Sequence, residues 1–163
     1  MSNKKLSFIL AVIILFIFGT FLYKNFTKSP IYSTYCGNYS EKNILIGNQN
    51  IKAIIADDDC KLTLGLSGNN GLKDDQGMFF IFDKEGNYGF WMKDMKFSLD
   101  MIWINSSFEV VGIEKNVSPD TYNASDKKKS EIFGESYSAR YVFELPAGFS
   151  DKNNVKIGDK IIF

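Results

Sequence analysis

Residues 99–115 read LDMIWINSSFEVVGIEK. Two runs of β-branched, aliphatic and aromatic residues, 99–105 and 108–115, each have the length and composition of a strand. Only Asn105-Ser106-Ser107 lies at the link between them, so the stretch predicts an antiparallel hairpin. Alternation places Leu99, Met101, Trp103 and Asn105 on one face, with Asp100, Ile102 and Ile104 on the other.

Working outward, short apolar runs broken by turns recur on both sides. NILIG (43–47) and IKAIIA (51–56) predict a first hairpin across Asn48-Gln49-Asn50. Asp57-Asp58-Asp59 then precedes KLTLGLSG. Acids favour a helix start, so a short helix near 58–67 is expected to end at Gly68, with Gly65 as a weak point inside it. GMFFIFD (77–83), YGFWM (88–92) and SARYVFEL (138–145) read as further strands. Residues 116–135 are irregular and carry the solvated triplet Lys127-Lys128-Lys129. A helical turn near 149–154 and a last strand, 160–163, complete the pattern. The fold class is therefore α+β and mainly antiparallel: a single compact, barrel-like β domain with one or two short helices. Fifteen Phe, eight Tyr and two Trp supply the bulk to fill its core.

Composition removes many functions. The chain of 163 residues contains no histidine, which excludes His-based acid–base and triad chemistry and His-ligated metal sites. Two cysteines cannot complete a four-cysteine metal site. No metal and no cofactor is expected. The net charge is zero, but residues 1–30 hold four lysines and no acid, while the remainder carries 15 basic and 19 acidic side chains. A mildly acidic domain lacks the electrostatic footprint for nucleic acid.

Residues 6–23, LSFILAVIILFIFGTFLY, carry no charge. As a helix they would span about 27 Å, close to bilayer thickness. The run exceeds a typical signal-peptide core and no small-x-small site follows it. The expectation is an uncleaved signal-anchor over 6–23, a short cytoplasmic stretch 1–5, a linker 24–42 and an extracytoplasmic domain 43–163. The membrane is thus the first expected partner. In that compartment Cys36 and Cys60 are candidates for a disulfide; two buried thiols are the alternative.

The densest run is Gly77 to Asp100, GMFFIFDKEGNYGFWMKDMKFSLD. It sets Trp91, Met92 and Lys93 at one strand end and Asp100 at the start of the next. Lys93 and Asp100 can pair as a scaffold or face a common pocket, with Trp91 and Met92 as core or as a binding platform. Asp100, Glu114 and Glu144 all fall in predicted strands and can converge as a carboxylate set.

Together with GLSG (65–68), EKNVSP (114–119), RYVFELPAGF (140–149) and KIGDKI (156–161), this run resembles the domain-of-unknown-function family 192, in the right order over roughly 50–163. Gly77, Met78, Phe90, Trp91, Met92, Lys93, Leu99, Asp100, Pro146 and Gly148 match its pattern; Asp94, Met95 and Ser98 depart from it. The resemblance implies a compact β-rich domain, often exported or anchored, and no assigned activity. Gly77 and Gly148 are expected in turns with positive φ.

Three functions remain open. The first is an anchored module binding a small ligand, glycan or peptide through Trp91, Met92, Lys93, Asp100 and Glu114. The second is a module that assembles with another envelope protein. The third is a carboxylate-dependent hydrolase or lyase using Asp100 or Glu114 with Lys93.

Overall fold

A computed structural model describes residues 35–163. The signal-anchor expected over 6–23 and the stretch 1–5 lie outside these residues, as does most of the linker. No helix among the described residues is long and apolar enough to cross a membrane.

Seven strands form one sheet: β1 (Glu41–Ile46), β2 (Gln49–Ala56), β3 (Gln76–Asn87), β4 (Leu99–Ile104), β5 (Val110–Val117), β6 (Ser138–Pro146) and β7 (Ile161–Ile162). Their order is β5-β4-β6-β3-β2-β1-β7. Only β2 and β3 run parallel. A parallel pair needs a crossover, supplied here by residues 57–75 with helix α1 (Asp59–Leu64). The sheet curls until its ends meet. Beside β7, Gly158 N–H donates to Val110 O (2.8 Å), while Val110 N–H donates to Asp159 O and Ile161 N–H to Phe108 O (both 2.9 Å).

The curl gives the sheet two apolar faces. Ile44, Ile55, Phe79, Ile102, Ile104, Phe143 and Leu145 fill the inside. Met78, Phe80, Leu99, Met101, Trp103 and Val142 form a second core on the outside, roofed by the segments 57–75, 88–98 and 118–137. The alternation expected for β4 is the one observed: odd residues enter the outer core, even ones the inner. All six residues of β4 are buried, as fits a strand covered on both sides.

Three expectations change at the edges. The first hairpin turns at Gly47-Asn48 rather than at 48–50, because Gly47 takes φ +57° and lets β2 begin at Gln49. Helix α1 is capped by Asp58, which accepts Lys61 N–H at 3.0 Å. It stops at Gly65, not Gly68, because Gly65 adopts φ +52°. Residues 88–92 are not a strand. β3 itself runs on to Asn87, and beyond it only Phe90 bridges, to Phe133. The apolar character of that run serves the outer core instead: Phe90 packs edge-on against Phe80 (4.9 Å between ring centres) and Trp103 (5.9 Å).

Cys36 and Cys60 form a disulfide with Cα atoms 5.7 Å apart. It ties the segment before β1 to the first turn of α1. Ser40 O accepts Ile55 N–H at 2.9 Å, so residues just ahead of β1 already belong to the domain.

Candidate functional site

Asp100 is completely buried. Its Oδ1 accepts the N–H groups of Asn116 (2.9 Å) and Gly148 (3.0 Å), and its Oδ2 accepts Ser150 N–H (2.8 Å). Helix α2 (Phe149–Lys152) starts after Gly148, which has no side-chain cap of its own. Asp100 supplies that cap from β4, 50 residues away. Both its oxygens are committed to scaffold, and no ion pair joins it to Lys93.

Lys93 holds the chain through its backbone: Lys93 O accepts the Ser67 hydroxyl at 2.9 Å, and Asp94 O accepts Gly68 N–H at 2.8 Å. These bonds fasten the segment after α1 to the turn after Trp91. Met92 is buried in the outer core. Glu114 Oε1 accepts the Tyr137 hydroxyl at 3.1 Å; burial, and then this carboxylate, push the Tyr137 hydroxyl's pKa up. Of the five sequence candidates, Trp91 lines the cleft between α1 and the segment 87–95; it is 44% exposed and packs roughly perpendicular to the Tyr122 ring.

That cleft, of about 230 Å³, lies between α1 with its following turn and the segment 87–95. Five aromatic residues, Phe80, Phe82, Tyr88, Phe90 and Trp91, line it, and Leu62, Thr63, Leu66 and Met95 complete its sides. Phe82 and Tyr88 stack in parallel at 3.6 Å. Among these groups lies Glu144.

Glu144 is 5% exposed, and its Oε2 has no hydrogen-bond partner among the described residues. The register explains its position. Glu144 pairs with Met78 of β3 and Met101 of β4, and Met101 pairs in turn with Glu114 of β5. The row on the outer face is therefore Glu114, Met101, Glu144, Met78. Desolvation beside two methionines raises the Glu144 carboxyl to about pKa 8. Of the three carboxylates named from the sequence, Glu114 and Glu144 share this face, about 10 Å apart by strand spacing, with Met101 between. Asp100 lies on the other face. Sequence reasoning noticed Glu144 only as one of several acids in strands. Its distinguishing mark, an acid within the apolar run VFEL, is legible in the sequence, but the segments that roof the outer face where it lies are not.

Among the described residues, no group of three or more cysteines or carboxylates is disposed to hold a metal ion.

The model of the domain-of-unknown-function family 192, described as an uncharacterized ACR, matches residues 42–163. The chain belongs to this family. No curated protein matches it. Two solved structures are similar. One is a Sinorhizobium meliloti 1021 protein described as a candidate transcription regulator, with 25% identity and a TM-score of 0.68, covering 77% of this chain and 95% of that one. The other is a protein of unknown function from Novosphingobium aromaticivorans DSM 12444, with 19% identity and a TM-score of 0.66, covering 80% and 96%. The likeness to these two structures shows a shared fold.

Proposed function

We propose that this family-192 domain is a membrane-anchored, extracytoplasmic module that binds a small ligand, and that the cleft over Glu144 is its site. One observation carries the reading: a buried carboxyl oxygen without a partner among the described residues, at a cleft lined by five aromatic residues. An unsatisfied buried acceptor costs on the order of 1–3 kcal/mol, a cost that a ligand donor removes. Three further features support the location. The disulfide suits an oxidising compartment, residues 6–23 have the length and polarity of a membrane anchor, and the acidic balance of residues 31–163 disfavours nucleic acid. That balance speaks against carrying over the description of the Sinorhizobium relative. Hydrolysis is supported less well, because Asp100 is committed to three N–H donors and Glu114 is bonded to Tyr137 outside the cleft.

The test is the melting temperature of the full chain in mild detergent against small metabolites, glycans, cell-wall peptides and divalent metals. A ligand at 100 times its dissociation constant adds about 2.7 kcal/mol, a shift of several degrees. Thr63→Trp, which puts an indole at the mouth of the cleft, is expected to abolish the shift. A flat panel on a cooperatively melting protein sinks the reading.

A second reading, docking on an envelope protein, draws on Leu45 and Ile162. They are cross-strand partners on β1 and β7 and are 38% and 65% exposed. Charged substitutions at both positions would then release a partner captured from membranes without altering the melting temperature.

A further inference from the structure

We infer that the ligand of the Glu144 cleft is a small organic cation, an ammonium group held by the carboxylate and the aromatic faces around it. The inference rests on the binding reading above and names its ligand class. No lysine or arginine lines the cleft. Its principal donors are already engaged: Ser67 Oγ donates to Lys93 O, Asn87 Nδ2 to Glu135 O, and the Tyr88 hydroxyl to Lys84 O. An anionic ligand would meet no cationic side chain, and beyond the Glu144 carboxyl only two side-chain donors of the lining, the Thr63 hydroxyl and the Trp91 indole N–H. A polyol would find one carboxyl and little else to bond. A cation finds five aromatic side chains in the lining and an acceptor oxygen that no protein group among the described residues satisfies.

The raised Glu144 pKa agrees with this geometry. Its cause is desolvation alone. The other titratable groups on the surrounding elements are Tyr88, Asp59 and Lys61 on α1, Lys61 being paired with Asp57 and Asp58, Asp83, Lys84 and Glu85 on β3, Arg140 and Tyr141 on β6, and Lys93 and Asp94 in the turn after Trp91. None of them contributes to the shift. The free cleft therefore holds its proton at neutral pH. An entering cation displaces it: the Glu144 O–H bond breaks, the proton leaves to solvent, and the carboxylate pairs with the ammonium.

The experiment uses the full chain in mild detergent, with choline as probe because its charge does not change with pH, and its neutral carbon isostere, dimethylbutanol, as control. Calorimetry between pH 6 and 9 is expected to show choline affinity rising roughly tenfold per unit and levelling above about pH 8. Near pH 7, titration in buffers of different ionisation enthalpy is expected to show close to one proton released. Glu144→Gln should weaken choline binding at least tenfold at pH 8.5, and Thr63→Trp should block it with the carboxylate intact. Melting curves check that both variants fold. Equal binding of the isostere, or choline binding indifferent to pH and to Glu144→Gln, overturns the cation while leaving a binding cleft in place. If neither probe binds but another compound of the wider panel does, the cation again falls and the binding reading stands. If nothing binds, both fall.

Discussion

Asp100 on β4 and Ser150 in helix α2 are 50 residues apart in sequence and joined by a 2.8 Å hydrogen bond from the Ser150 N–H to Oδ2. With Asn116 and Gly148 on Oδ1, this one carboxylate fixes the last residues of β5 and the start of α2 against the start of β4. Asp100→Asn keeps one acceptor and puts an amide donor against an N–H donor. The expected loss is about 2–4 kcal/mol of unfolding free energy, measured by urea titration. Ligand binding in the Glu144 cleft, where Asp100 takes no part, should be unchanged at temperatures where the variant is folded. A folded Asp100→Asn protein of normal stability that had lost binding would return Asp100 to the site.

Glu144 makes stability depend on pH in a direction opposite to most carboxylates. Its folded pKa, about 8, lies above the ordinary value of 4.5. The unfolded chain therefore releases this proton first as pH rises. The contribution of the group is fully present below about pH 4.5, is lost as pH climbs to about 8, and is flat beyond. Glu144→Gln removes the titration. The variant should match the parent within about 1 kcal/mol at pH 5 and exceed it by roughly 3–5 kcal/mol at pH 9. Urea titrations at the two pH values check this; equal differences at both would mean that the carboxyl is not desolvated.

Much of the architecture could be read directly from the chain because its strands carry strong, short-range signals. The 99–115 hairpin follows from alternation and a tight link, and its two faces map onto two cores. Two differences, the first turn and the end of α1, come from glycines at positive φ; the third arises because apolar side chains serve burial before they serve a ladder. Tyr88 to Met92 looks like a strand because Phe90 and Met92 are core residues of a roofing segment. Of the candidates the sequence offers, Trp91 lines the cleft, whereas Asp100 is bonded to three backbone N–H groups away from it; a buried acid capping a distant helix and a ligand-binding acid look the same in sequence. Glu144 gains its meaning only from the register that sets it between Met78 and Met101.

Gly77 illustrates the same limit. A turn with positive φ was expected, and Gly148 has it at +83°, but Gly77 lies in β3 and is absent from the positive-φ residues. Its requirement is close approach: a Cβ there would stand 2.6 Å from Phe143 Cε2, 2.8 Å from Glu144 O and 2.9 Å from Leu145 Cδ2. One of these atoms is backbone, so a rotamer change cannot relieve all three. Gly77→Ala is expected to lose about 1–3 kcal/mol or more by overpacking. Gly148→Ala pays instead through its backbone, since its nearest contact to a Cβ is Asn116 Oδ1 at 3.9 Å. Thermal melts of the two variants, paired with a structure of Gly77→Ala showing β3 displaced from β6, would separate the two causes.

The Cys36–Cys60 bridge closes a loop of 24 residues, and loop entropy assigns such a link about 3 kcal/mol. Its position adds a local consequence. α1 has no fully buried residue of its own; it is held by the disulfide, by Leu62 against the outer core, and by the bonds that fasten residues 67 and 68 to the turn at 93–94. The bridge anchors its first turn and the bonds after Gly65 anchor its end, so reduction frees the N-terminal side of the cleft wall while the floor around Glu144 stays in the sheet. Reduction, or Cys36→Ser with Cys60→Ser, is expected to lower the urea midpoint in proportion to about 3 kcal/mol. Amide exchange should accelerate at residues 59–64 before it does in β3 or β6. Uniform acceleration across the domain would show instead that the bridge stabilises the whole fold without governing the wall.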